Sequence, residues 1–105
     1  MTIVTLRSEY DGALIGVAGK TPLLSWVVAS APVGTAQNGY RLQASDSYEF
    51  ARIAAEISSV SGDSQFIAAP GGLLNSREVR WYRVAVEFDD GLTVWSNPVS
   101  VEAGL

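Results

Sequence analysis

The stretch Tyr82-Arg83-Val84-Ala85-Val86-Glu87-Phe88 decides the fold. Large apolar residues recur at every second position, the period of a strand that buries one face and exposes the other. Tyr82, Val84, Val86 and Phe88 are therefore assigned to the core face, and Trp81, Arg83, Ala85 and Glu87 to the opposite one. Asp89-Asp90-Gly91 closes the run as a hairpin turn, since glycine tolerates the positive φ that tight connections require.

Working outward, the same alternation appears in Leu24-Ser25-Trp26-Val27-Val28 and in Tyr40-Arg41-Leu42-Gln43-Ala44. Further strands are read at Ile3 to Ser8, Glu56 to Val60, Gln65 to Ala68 and Val99 to Glu102, about seven in all. Turn-forming clusters separate them at short intervals: Asp11-Gly12, Gly16, Gly19 to Pro22, Ser30 to Gly39, Pro70 to Gly72 and Asn97-Pro98. Many short strands with such spacing imply an all-β sandwich or barrel. One segment departs from alternation. Phe50, Ile53, Ala54 and Ile57 fall at i, i+3, i+4 and i+7, and Asp46 and Glu49 are spaced like a capping box. This predicts one short helical insertion over 47–55.

Composition narrows the chemistry. The chain has 105 residues, 48% of them apolar, enough for one domain with its own core, and no repeat or linker divides it. Charged residues make up 17%, below the ~25% of an average domain, so the surface is unusually apolar. Cysteine and histidine are absent, which removes disulfides, thiolate nucleophiles, imidazole bases and the usual zinc and copper sites. No cofactor and no metal is expected. A net charge of −4 with seven dispersed basic residues gives no footprint for nucleic acid. No basic leader opens the chain and no apolar run reaches ~18 residues, so no membrane association is expected. A cytoplasmic location follows, or a secreted one if a signal has been removed.

The order of motifs adds to this reading. Thr21-Pro22-Leu23-Leu24-Ser25-Trp26, Gln37-Asn38-Gly39-Tyr40-Arg41-Leu42-Gln43-Ala44-Ser45, Trp81-Tyr82-Arg83-Val84, Asp90-Gly91, Val94-Trp95-Ser96 and Glu102-Ala103-Gly104-Leu105 follow one another. Together they resemble the N-terminal domain of bacterial alpha-L-rhamnosidases, a fibronectin type III-like sandwich ahead of the catalytic barrel. The resemblance runs from Tyr10 to Leu105. It implies a seven-stranded antiparallel fibronectin III- or immunoglobulin-like sandwich in a single accessory domain, 1–105, cut from a larger chain. The implied parent is a glycoside hydrolase acting on terminal alpha-L-rhamnosides with paired carboxylates. None of those catalytic residues maps onto this sequence. Two positions depart from the pattern: Arg80 stands where such domains often place a corner tyrosine, and Tyr82 where a tryptophan is common. The family's tryptophan-serine-glycine segment is reduced to Ile57-Ser58-Ser59-Val60.

The implied role is to buttress the catalytic domain. The alternative is an independent carbohydrate- or protein-binding fibronectin-like module. Expected partners are the other domains of the same chain, and the isolated piece has room for weak self-association. Trp26, Tyr40, Leu42, Tyr82, Val84 and Val86 are assigned to the core. Trp81, Arg83 and Trp95 form the candidate surface. Trp81 reads equally as a contact with a neighbouring domain or as edge packing. Trp95 is expected to lie over Arg83 as a clasp between the last strands. Glu49, Glu56, Asp63, Asp89 and Asp90 are the carboxylates to weigh for glycosidase chemistry, and their scatter reads as solvated turn acids. Asp89-Asp90-Gly91 supplies too few oxygen ligands for calcium, and Gly71-Gly72 reads as a turn without a phosphate role.

Overall fold

The computed structural model describes residues 2–8, 14–15, 21–31, 35–65, 67–72, 74–75 and 77–103, with backbone only at 14, 15 and 103. The turns read at Asp11-Gly12, Gly16 and 32–34, and the terminal Gly104-Leu105, lie outside these residues.

The described residues form nine strand segments: β1 (Ile3–Ser8), β2 (Leu14–Ile15), β3 (Leu23–Ala29), β4 (Gln37–Ser45), β5 (Ala55–Ser59), β6 (Ile67–Ala68), β7 (Val79–Phe88), β8 (Thr93–Trp95) and β9 (Val99–Ala103). One sheet runs β1-β3-β6 and the other β2-β9-β7-β4-β5, with β8 also paired to β7. The seven expected strands are all present, and β2 and β8 are additions. The expectation of a wholly antiparallel sandwich fails at one place. β2 pairs with β9 in parallel, Leu14 opposite Glu102. The N-terminal strand is thus divided between the sheets, β1 lying against β3 and β2 against β9. No local pattern in a two-residue strand announces this, because its pairing partner is at the far end of the chain.

The alternation sets the core face as expected, although Ala85 on the opposite face is buried as well, at the register position paired with Trp95. In β7, Tyr82, Val84 and Val86 are fully buried and Phe88 nearly so. They meet Leu24 and Trp26 of β3, Val4 and Leu6 of β1, Leu42 and Tyr40 of β4, and Val101 of β9. Trp26 is 2% exposed, packs edge-on against Tyr40 at 4.9 Å between ring centroids, and donates its Nε1–H to Gln37 Oε1 at 3.0 Å. Gln37 in turn donates to the carbonyls of Ser61 and Asp63, so the polar edge of the buried indole is fully satisfied.

The predicted helical insertion does not form: residues 46–54 are bends and a turn. Ser45 captures the chain instead. Its hydroxyl accepts from the Ser47 N–H at 3.2 Å and donates to the Arg52 carbonyl at 2.8 Å, closing the loop from within. Such side-chain bonds offer the backbone an alternative to the helical ladder. Phe50 sits at a φ of 52°, outside the right-handed helical region, and is buried, while Ile53 and Ile57 are exposed. The apparent helical stripe therefore faces no common surface.

The hairpin at Asp89-Asp90-Gly91 forms as read. Gly91 has a φ of 89° and donates to the Phe88 carbonyl, while the Asp90 carboxylate accepts from the Leu92 N–H at 3.0 Å. β8 and β9 both lie along the same edge of β7, opposite residues 85–87 and 79–82, with a break at 96–98 between them.

Arg80, standing in the corner-tyrosine position, does comparable work by other chemistry. A corner tyrosine hydrogen-bonds back to upstream backbone. Here the guanidinium donates to the Gly72 carbonyl at 3.1 Å and to Glu78 Oε2 at 2.7 Å. Glu78 also accepts from the Asn75 N–H, and these bonds hold its carboxyl below the usual glutamate range.

Candidate docking face

The concentrated chemistry lies on the outer face of the larger sheet, centred on β7. Register places Gln43 of β4 opposite Arg83, Ser45 opposite Trp81, and Trp95 of β8 opposite Ala85. The 46–54 loop folds back over this face and delivers two aromatic rings. Phe50 lies 4.4 Å from the Arg83 guanidinium carbon, and Trp95 lies 4.6 Å from it. Arg83 is thus flanked by a ring from the β4 side and a ring from the β8 side. Tyr48 meets Trp81 edge-to-face, centroids 5.2 Å apart at 86°.

A chain of polar contacts fixes the cation in place. Arg83 donates its Nε–H to Gln43 Oε1 at 2.8 Å, and Gln43 donates its amide to Glu56 Oε2 at 2.6 Å. The same carboxylate oxygen stands 3.9 Å from Arg41 Nε. Glu56 therefore serves Gln43 and Arg41, and no acid among the described residues pairs with Arg83. Of the aromatic residues, Phe50 is buried, Trp81 half-buried, Trp95 42% exposed and Tyr48 56% exposed.

Sequence reasoning placed Arg83, Trp81 and Trp95 on this face and missed Phe50, Tyr48, Gln43 and Glu56 as their partners. The helical reading of 47–55 hid the two aromatic residues. The signal available was the turn-forming pair Asp46-Ser47 directly after a strand, which equally suits a loop.

Trp81 also borders an open cleft of about 460 Å³ at the seam of the sheets, with Leu6, Arg7, Pro98 and Val99. A second, of about 360 Å³, runs past Ile3, Val4, Val94 and Trp95. A third, again about 460 Å³, lies beside Trp26, Gln37 and Phe88. No Asp or Glu lines any of these clefts. Asp89 and Asp90 serve the hairpin, where Asp89 accepts from the Ala36 N–H at 3.3 Å. Glu56 lies on the edge strand β5, Glu49 in the loop, and Asp63 is exposed beside the Gln37 contact. The acid and base of a glycosidase must share a concave site, and these carboxylates do not. Among the described residues no three His, Cys, Asp or Glu side chains come close enough to hold a metal ion, and no helix is long and apolar enough to cross a membrane.

Two facing sheets, an N-terminal strand split between them and a strand edge shared by β8 and β9 define an immunoglobulin-like sandwich. Its distinctive surface is a cation held among aromatic rings. Residues 3–105 match the family described as Rha78A-like, N-terminal immunoglobulin domain, and the chain belongs to it. Two solved structures are similar over 100% of this chain. One is Streptomyces avermitilis alpha-L-rhamnosidase complexed with L-rhamnose, at 29% identity and a TM-score of 0.81. The other is native alpha-L-rhamnosidase from Aspergillus terreus, at 26% identity and a TM-score of 0.82. The chain spans 11% and 12% of these proteins. One comes from a bacterium and one from a fungus, so the resemblance is not confined to bacterial enzymes. No curated protein matches the sequence.

Proposed function

We propose that residues 1–105 are one non-catalytic accessory domain of a multidomain glycoside hydrolase that cleaves terminal alpha-L-rhamnosides, and that the domain buttresses the catalytic part of that chain. The observation that carries this is the match of the whole sandwich to about a ninth of two rhamnosidases. The absence of carboxylates from the described clefts agrees with it. The rival reading, a free-standing sugar-binding module, is less well supported. A sugar platform needs coplanar exposed rings, whereas Tyr48 and Trp81 stand at 86° to each other and Trp95 is occupied by Arg83.

The test is release of the aryl group from an aryl alpha-L-rhamnoside. The polypeptide that contains this domain should turn the substrate over, and the 105-residue chain alone should not exceed the buffer rate. Turnover by the isolated chain, abolished by substituting one Asp or Glu, would overturn the accessory role.

A further inference from the structure

The Arg83 fork is left half used. Its Nε–H is taken by the neutral carbonyl of Gln43, and among the described residues its two terminal nitrogens have no hydrogen-bond or ion-pair partner. Phe50 at 4.4 Å and Trp95 at 4.6 Å both pack against the group, and the terminal nitrogens are the donors left to a partner. The nearest acid in the polar chain, Glu56, is already engaged by Gln43 and Arg41. The result is a fixed, planar, uncompensated positive charge on a protein of net charge −4. A planar donor pair of this kind matches a carboxylate, which accepts two parallel N–H bonds.

A neutral sugar would leave the charge unanswered. A small free anion would find the guanidinium and no cleft among those described, since Arg83 lines none of the three. The carboxylate must therefore arrive on a surface of its own. We propose that Arg83 is the receptor for an Asp or Glu side chain carried by the domain of the parent chain that packs on this face, with exposed Trp95 and Tyr48 bordering the contact. This rests on the accessory-domain reading above. It goes beyond that reading by naming the face and the chemistry of its partner. The stacked rings and Gln43 prepay the ordering of the arginine, so the ion pair costs little side-chain entropy on docking.

The test uses the full-length polypeptide that contains this domain. In an Arg83→Lys variant, a carbodiimide joins the introduced amine to a touching carboxylate as an amide, and peptide mass spectrometry identifies the acid. The expected result is one dominant crosslink from position 83 to an Asp or Glu outside residues 1–105. A crosslink confined to Glu49 or Glu56, to a second copy of the chain, or to no acid at all overturns the proposal. Should the variant fail to fold, phenylglyoxal modification of the unsubstituted polypeptide decides. Arg83 should lose reactivity relative to exposed Arg41, Arg52 and Arg77, and regain it as salt is raised. Equal reactivity of the four arginines overturns the proposal. Aryl rhamnoside hydrolysis by the unsubstituted polypeptide is measured alongside. Loss of that activity would sink the rhamnosidase reading without touching the crosslink result.

Discussion

Ser96 replaces a strand with a side chain at Val84: its N–H donates to the Val84 carbonyl at 2.8 Å, and its hydroxyl accepts from the Val84 N–H at 3.0 Å. The edge of β7 changes partner here, from β8 to β9, and a backbone pair deep in the core would otherwise lose its ladder. Both residues are buried, Val84 completely. Ser96→Ala should leave the Val84 N–H unsatisfied and cost about 1 to 3 kcal/mol. Urea denaturation reads this as a lower midpoint at unchanged slope. An unchanged midpoint would show that the break in the strand needs no such patch.

Trp26 fills the centre of the sandwich against Tyr40, Leu24 and Leu6. Trp26→Ala should cost ~3 to 5 kcal/mol, a large share of the stability of a domain this size. Trp26→Phe separates ring from polar edge, because it keeps most of the volume and loses the bond to Gln37. Its stability should lie between the other two, as measured by thermal unfolding.

The contact between Arg83 and Trp95 is open to a double-mutant cycle. With Trp95 at 42% exposure and the guanidinium at 4.6 Å, the Trp95→Ala and Arg83→Ala pair should couple by roughly 0.5 to 2 kcal/mol. Additive effects within error would reduce the clasp to simple proximity.

Tyr82 carries a buried hydroxyl that makes no well-aligned hydrogen bond among the described residues, although the Arg80 guanidinium stands close enough to interact with it. Burial pushes its pKa above the usual tyrosine value, and the charge of Arg80 offsets this only in part. The folded state therefore holds the phenol proton more tightly than the unfolded one. That contribution to stability is intact below the unfolded pKa of ~10 and is lost as pH rises from there through the folded value. Tyr82→Phe should flatten the alkaline fall and cost about 1 kcal/mol or less at neutral pH, since only a poorly aligned contact with Arg80 is lost. Denaturation midpoints measured across the alkaline range would test both halves.

Glu78 gives the opposite limb. Its backbone bond to Asn75 leads, with Arg80 adding to it, and its folded pKa lies below the unfolded one. Its contribution is present above the unfolded value of ~4.3 and disappears as pH falls through the lower folded value. Glu78→Gln should weaken the acid dependence of stability in that window. An identical acid profile would mean that the Asn75–Arg80 corner does not depend on the charge.

The sequence by itself determined seven of the nine described strands, which face of β7 meets the core, that Trp26 is inside, and where the chain turns at Gly91. Each is a local property: alternation has a period of two residues, and a positive φ favours glycine whatever surrounds it. The departures at Arg80 and Tyr82 were equally visible, but their meaning was not. Only the folded chain shows Arg80 reaching back to Gly72 in place of a tyrosine. Tertiary structure also decided the 46–54 loop. Its apolar spacing suits a helix, yet Ser45 ties both its ends and Phe50 finds Arg83 on a strand far along the chain. Helix formation in so short a segment is weakly favoured, so contacts with the sheet outweigh it. The pairing of β2 with β9 has the same origin, since a two-residue strand takes its place from the edge that receives it.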